Sequence, residues 1–399
     1  MKIGLLKEEK IPADERVVFT PKQCKWITEN TNIDLVVKSS NIRCFQDSDY
    51  SNLGIEVVND LSDCDVLLGV KEVPKEQLIS DKIYFYFSHT IKEQSYNREL
   101  LQRMVQKNIT MVDYEVLKDK NNKRLIGFGR YAGIVGAYNA LLTYGLKSDK
   151  FFLKAANKCS GINEVHNELN KIKLSEEKII LTGKGRVANG ALEILRKANI
   201  TEVSKEEFVT KTFKESVFCR LDTMDYNERI DGTLYDKYDF YNNPEKYKSS
   251  FMNYTKHADI FIAGHFYGVD SPYLFTREDA KSEYFNLQVV ADISCDINGP
   301  VASTIRPSTI ENPIYGYNPE TESEDDFKKG GVIAVMAVDN LPCELAKDAS
   351  EYFGNEFINK ILPYLIGEDP DRIIERATIC KDGNLTSDFK YLKAYLNGN

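Results

Sequence analysis

Short apolar runs alternate with amphipathic stretches along the first third of this chain. Lys2–Leu6, Ile33–Lys38, Asp65–Val70, Lys82–Phe87 and Ile109–Asp113 each read as a strand. Helical spacing of apolar residues lies between them, as in Glu93–Gln106. Thr20-Pro21 marks a helix start, with threonine as N-cap and proline at the first helical position. Strands alternating with helices predict a mostly parallel sheet with helices on both faces. This first α/β region, about 125 residues long, carries no glycine fingerprint.

The pattern then changes. Residues 128–144 form a long stretch rich in small residues, suited to a helix that packs closely as a connector. Residues 178–195 read as an apolar strand, a glycine turn and an amphipathic helix, and Ile200–Lys205 as the second strand expected after it. Residues 211–256 are polar and tyrosine-rich and read as an insertion. Further strands are expected at 259–263, 288–293 and 332–338, a charged loop at 318–329, and a helix from Pro342 to about Leu365.

The glycine turn is the most informative local feature. Gly183-x-Gly185-x-x-Ala188 has dinucleotide-binding spacing with alanine in the third small position. Gly183 permits the tight turn, Gly185 lets a pyrophosphate approach the backbone, and Ala188 lets helix and strand pack. The anion then rests at the positive end of the helix, over Arg186 and Val187. The same spacing also serves a tight turn with no ligand. About twenty residues beyond such a turn, an acidic residue for the ribose hydroxyls signals NAD. Here Glu202 would favour NAD, whereas Ser204 and Lys205 would accommodate a 2′-phosphate and favour NADP. NADP or NAD is therefore the expected cofactor, with the lean to NADP.

Composition narrows the class. At 399 residues two domains are the natural expectation. A formal net charge of −9 argues against nucleic acid or an anionic membrane as the main partner. No apolar run approaches the roughly 20 residues that span a bilayer, and the first residues lack a signal-peptide core. The eight cysteines are scattered without a Cys-x-x-Cys pair, so reduced thiols and a cytoplasmic location are expected, without a disulfide framework. The histidine and carboxylate spacings suggest no metal site.

Two residues stand where chemistry is expected. Lys71 follows the strand 65–70 and His89 follows the strand 82–87. Ligands in parallel α/β sheets bind beyond the carboxyl ends of strands, so both point at one edge. An amine and an imidazole there suit general acid–base work, although a solvated lysine and a backbone-bonded histidine are the plain alternatives. Arg16, in a charged loop, can clamp a carboxylate. His265 follows the strand 259–263 and either lines a cofactor or is satisfied within its loop. His166 reads as solvated and His257 as structural.

The motifs then converge on a family. Lys7-Glu-Glu-Lys-x5-Arg16-x3-Thr20-Pro21, Gly69-Val-Lys-Glu-Val-Pro74, Phe87–Gln94, Asp113-Tyr-Glu115, Gly127–Gly133, Ala291-Asp-Ile-Ser294 and Val338-Asp-Asn-Leu-Pro342 resemble the lysine–ketoglutarate reductase and lysine-forming saccharopine dehydrogenase family. That family is related to alanine dehydrogenase and the transhydrogenase domain. The resemblance covers nearly the full chain. Tyr238–Tyr247 and Gly383–Tyr391 are more similar to the reductase half of the bifunctional animal and plant enzyme than to the fungal one.

The resemblance implies two Rossmann-like domains with mostly parallel sheets flanking a cleft. One would be 1–128 plus 345–399, for substrate and catalysis. The other would be 129–344, for the dinucleotide, with the insertion at about 211–256. It implies reversible reductive condensation of L-lysine with 2-oxoglutarate to saccharopine, with Lys71 and His89 as the proton-transfer pair. Glu72 and Glu115 would tune their charge and bind the substrate amine. Arg16 and Lys92 would bind carboxylates, and Asp339 would lie at the nicotinamide. Gly183, Gly185, Arg186, Val187, Ala188, Ser204, Lys205, Gly264, His265, Asp292, Val338 and Asp339 would contact the cofactor. Arg130 departs from the family pattern and either adds a carboxylate contact or shifts substrate choice. The saccharopine-cleaving half of the bifunctional enzyme is absent from this sequence. The expected partners are small molecules, and a homo-oligomer is compatible. The competing readings are an alanine-dehydrogenase-like enzyme and a nucleotide-binding regulatory protein of the same fold.

Overall fold

A computed structural model describes every residue except 10, 12, 269, 298 and 399. Lys10 of the opening motif therefore lies outside the described residues. The chain divides into two compact units, Met1–Phe128 with Ala346–Asn399, and Gly129–Leu345.

The first unit is built on β1 (Lys2–Leu5), β2 (Asp34–Lys38), β3 (Glu56–Val58), β4 (Val66–Lys71), β5 (Ile83–Phe87) and β6 (Thr110–Asp113). These run parallel in the order β3-β2-β1-β4-β5-β6. The apolar runs become the central strands because they are covered on both faces: Ile3, Val66, Leu67, Leu68, Tyr84, Phe85 and Met111 are buried. Thr20 caps the helix Pro21–Asn30 in a reciprocal capping box with Gln23. The helix expected from residue 93 begins as isolated turns and becomes regular at Arg98–Gln106.

The second unit carries β7 (Lys178–Thr182), β8 (Thr201–Val203), β9 (Val217–Leu221), the hairpin β10 (Asn227–Arg229) and β11 (Tyr247–Ser249), then β12 (Ile260–Ala263), β13 (Val289–Asp292), β14 (Ile314–Asn318), β15 (Ser323–Asp325) and β16 (Ile333–Met336). Its main sheet has eight strands in the order β15-β14-β16-β13-β12-β7-β9-β8. Only β14 and β15 are antiparallel to their neighbours, so the two mostly parallel sheets make an α/β protein. The chain's last strands, β17 (Thr378–Lys381) and β18 (Asn384–Leu385), return to the first unit and extend its sheet antiparallel beside β6.

Three expectations are corrected in the second unit. The strand expected at 200–205 forms as β8 but lies at the sheet edge, and Lys205 already begins a helix. The place beside β7 belongs to β9, inside the segment read as an insertion. Val217, Phe218, Cys219 and Leu221 are all buried, and that short apolar run is masked in the sequence by its polar surroundings. The charged segment 318–329 likewise contains an edge strand, β15.

The small-residue stretch forms one helix, Gly129–Ser148, packed against Arg186–Lys197 within the second unit. The approach is backbone to backbone. A Cβ on Gly133 would meet the Val187 carbonyl oxygen at 1.8 Å, and one on Gly190 would meet that of Arg130 at 2.0 Å. No helix among the described residues is long and apolar enough to cross a membrane.

Candidate functional site

The first unit concentrates ionisable groups at the carboxyl ends of β4, β5 and β6. Lys71 closes β4 and stands in register with Phe87, the last residue of β5. A buried carboxylate fixes this strand end: Glu8 accepts from the backbone N–H of Val70 at 2.6 Å and of Lys71 at 2.9 Å. Burial, reinforced by the charge of Asp14, pushes the Glu8 carboxyl up to about 8. Glu72 follows Lys71, and its Oε2 lies 3.6 Å from Nδ1 of His89. The distance exceeds that of a good hydrogen bond, so this is a charge contact when the imidazole is protonated.

His89 is held in a left-handed backbone conformation at φ 55°, which is uncommon outside glycine. Asp113, fully buried at the end of β6, supplies the clamp. It accepts from the Ser88 N–H at 3.0 Å, from the Ser88 hydroxyl at 2.5 Å and from the Glu115 N–H at 2.7 Å. The Ser88 and Thr90 hydroxyls share a further bond at 2.8 Å. One carboxylate thus ties the His89 loop to the Glu115 turn. Burial shifts Asp113 upward against these hydrogen bonds.

The remaining candidates of this unit are placed as follows. Arg16 is buried, donating from Nε and Nη2 to Asp14 at 2.9 and 2.5 Å, and its guanidinium lies 4.2 Å from the Phe128 ring centre. Lys92 is exposed, on a turn just beyond His89. Glu115 accepts from Nη2 of Arg124 at 2.9 Å, and Arg124 also donates to the Glu115 carbonyl. Glu8, Asp113 and Arg124 were not foreseen as site residues. Their roles rest on contacts between segments far apart in sequence. Only Arg124, paired across the Lys118–Arg124 bridge, leaves a local signal.

The second unit carries a site made mainly of backbone. Gly183 sits at φ 96°, and a Cβ there would meet the Gly264 carbonyl oxygen at 2.6 Å and the His265 Cα at 2.9 Å. Gly264 itself is pressed against Thr182 and Ala188, so Ala188 is the small contact between helix and strand. Above Gly185, by contrast, a Cβ would meet nothing within 4 Å. Gly185 is the N-cap of Arg186–Lys197 and offers no side-chain cap, so the first-turn N–H groups, those of Arg186 and Val187 among them, are not capped from Gly185. Open space over a helix start whose N-cap residue has no side chain fits a pyrophosphate.

Side chains frame this turn. His265 Nδ1 lies 2.7 Å from the Thr182 hydroxyl, and burial lowers the imidazole to about 4, so it is neutral near pH 7. Arg220 of β9 donates to the Gly183 carbonyl at 2.9 Å and to the Asn189 side chain at 2.8 Å. Asp292 is buried and accepts from the Ser294 N–H and hydroxyl and from Thr304. Val338 is buried and bridged to Ser308, and Asp339 is exposed. Arg130 donates twice to Glu193, at 2.7 Å each, across the helix pair. Ser204 caps the helix Lys205–Thr210, and Lys205 pairs with Asp225 at 2.6 Å.

The chain is similar to known proteins over its whole length. Residues 4–135 match the family model described as alanine dehydrogenase/PNT, N-terminal domain. The chain is 29% identical over 445 residues to the alpha-aminoadipic semialdehyde synthase of Arabidopsis thaliana, covering 100% of this chain and 42% of that protein. It is 23% identical over 381 residues to the saccharopine dehydrogenase [NAD(+), L-lysine-forming] of Yarrowia lipolytica, covering 90% of each. The chain therefore spans less than half the length of the plant relative and nearly all of the fungal one. A solved L-alanine dehydrogenase shares the fold with a TM-score of 0.64 at 15% identity, covering 100% of this chain and 99% of that one. The saccharopine dehydrogenase and alanine dehydrogenase among these relatives are oxidoreductases, as the resemblance read from the sequence implies.

Proposed function

From its homology to saccharopine dehydrogenases and alpha-aminoadipic semialdehyde synthases, we propose that this chain catalyses the reversible reductive condensation of L-lysine with 2-oxoglutarate to saccharopine, with a nicotinamide nucleotide as cofactor. The observation that carries the reading is the first unit's strand-end cluster. Lys71, Glu72 and His89 stand at the carboxyl ends of adjacent parallel strands, each strand end anchored by a buried carboxylate.

The chemistry assigns these groups work. The substrate ammonium must lose a proton before its nitrogen can attack the oxo carbon. The resulting carbinolamine must then gain a proton on oxygen to leave as water. Lys71 and His89 are the acid–base pair for these transfers. Glu72 places its carboxylate 3.6 Å from the His89 ring. Glu115 contributes a carboxylate for the substrate amine. Arg16 and Lys92 supply positive charge for substrate carboxylates, since a desolvated carboxylate must be paired. Arg16 does so as part of its ion pair with Asp14.

Gly185 leaves room for the cofactor, since it has no Cβ and supplies no side-chain cap to the helix it starts. Gly183, Gly185, Arg186, Val187 and Ala188 would hold the pyrophosphate, with Gly264 and His265 closing the turn. Asp292, Val338 and Asp339 would lie toward the nicotinamide. When bound, the nucleotide supplies the hydride that reduces the imine carbon. The rest of the work is the protein's: to bind, orient and exclude water.

A second reading, an alanine-dehydrogenase-like enzyme, is favoured by the match over residues 4–135 and by the shared fold. Nicotinamide absorbance separates the two. Consumption of the reduced nucleotide with L-lysine plus 2-oxoglutarate, and none with pyruvate plus ammonia, supports the first. The reverse result removes it.

A further inference from the structure

The strand that carries Lys71 holds one residue more than its neighbour. β4 and β5 pair in step as Val66↔Ile83, Leu67↔Tyr84 and Leu68↔Phe85, and then as Lys71↔Phe87. Three steps along β4 thus match two along β5, which makes a β-bulge at Gly69–Val70. An unbulged strand would carry Lys71 one place further, opposite Ser88 and on the other face of the sheet. The bulge therefore decides where the amine of Lys71 emerges.

The selected face carries other candidate chemistry. Successive side chains of a strand alternate between faces and register partners share one, so Lys71 shares the face of Phe87. The Phe87 ring centre lies 6.2 Å from that of Phe128, which is 4.2 Å from the guanidinium of Arg16. Lys71 thereby stands on the side of the sheet that holds the candidate carboxylate clamp. Tyr86, on the opposite face, sets its hydroxyl against Met104.

Glu8 holds the bulge. The ladder from β1 to β4 ends where the Leu6 N–H donates to the Leu68 carbonyl. Consecutive N–H groups of a regular strand point to opposite sides. Those of Val70 and Lys71 instead both donate to Glu8, at 2.6 Å to Oε1 and 2.9 Å to Oε2. The extra residue turns two adjacent donors to one side, and a carboxylate has the acceptors to take both. Glu8 is buried, and Gly69 lets it come close: a Cβ there would meet Oε1 at 3.4 Å and Leu6 Cδ1 at 2.9 Å.

We propose that Glu8 is a positioning residue that acts through Lys71, pinning the bulge that sets its amine on the sheet face shared with Arg16. This rests on the acid–base reading of Lys71 above.

The test is a double-mutant cycle in steady-state kinetics, run with whichever substrate pair the chain turns over. Glu8→Ala should lower kcat about 10-fold or more, since misplacing a reacting group by about 1 Å costs up to about 10²-fold. KM and nucleotide affinity should stay near wild type. Glu8→Gln keeps the shape and one acceptor oxygen, should lose less, and carries the cycle if the alanine variant does not fold. In a Lys71→Met background the Glu8 substitution should cost no more than about two-fold, because both act on one group. Amide hydrogen exchange at Val70 and Lys71 should quicken in the Glu8 variants, a readout that needs no activity. An undiminished kcat in the Glu8 variants, or an equal loss with and without Lys71, overturns the proposal. A wild-type kcat in Lys71→Met instead removes the acid–base reading, and the proposal falls with it.

Discussion

The two units use related parallel sheets to present different kinds of chemistry. The first unit presents side chains: Lys71, Glu72, His89 and Glu115 at strand ends, held by Glu8 and Asp113. The second presents backbone: a glycine turn and a helix start with open space over Gly185, framed by the Arg220 and His265 side chains. Both bury carboxylates, but for different ends. Glu8 anchors a strand end that carries a candidate acid–base residue, whereas Glu344 bonds Asn139 within the packing of the helix Gly129–Ser148, and burial pushes it up to about 7.

Substitutions can break this contrast. The largest effect is expected on turnover. Lys71→Met and His89→Gln should each lower kcat by about 10²-fold or more while nucleotide affinity, read by fluorescence titration, stays near wild type. Loss of nucleotide binding in step with turnover would dissolve the division of labour. Next comes volume at the helix crossing. Gly133→Ala places a Cβ 1.8 Å from a backbone oxygen that cannot swing aside, and should destabilise the protein by about 3 kcal/mol in denaturant unfolding. An unchanged midpoint would show that the two helices separate freely.

A smaller effect is expected at the turn. Gly185→Val should weaken nucleotide binding about 10-fold or more, roughly 1.4 kcal/mol, without lowering stability, because the new side chain meets only open space. Equal affinity would mean that the turn is purely structural. The gentlest test is the pH dependence of stability. Folded Glu8 holds its proton up to about 8, against 4.5 for an ordinary glutamate. The folded state therefore binds more protons across that window. The associated stability is full below pH 4.5 and is lost as pH rises toward 8, by at most about 1.4 kcal/mol per pH unit. Glu8→Gln should flatten this slope, and Glu344→Gln should flatten a similar one that ends near 7. An undiminished slope in Glu8→Gln would show that the glutamate is ionised in the fold.

What was legible in the sequence follows the same contrast. Apolar runs such as Lys82–Phe87 and Asp65–Val70 announced central strands, because strands buried on both faces must be continuously apolar. The glycine turn announced itself because its spacing is local. Glu8 was not legible as an anchor, because its partners Val70 and Lys71 lie more than sixty residues away and are backbone groups. The place of β9 was hidden for another reason. A strand of five residues within polar neighbours carries little periodic signal, and strand order is a tertiary property.

The proposed reaction itself is tested most directly by its product. The purified chain, given L-lysine, 2-oxoglutarate and reduced nicotinamide nucleotide, should form a compound with the mass of saccharopine, and the yield should match the nucleotide oxidised. Nucleotide oxidation with alanine formed from pyruvate and ammonia, and no saccharopine from lysine and 2-oxoglutarate, would contradict it.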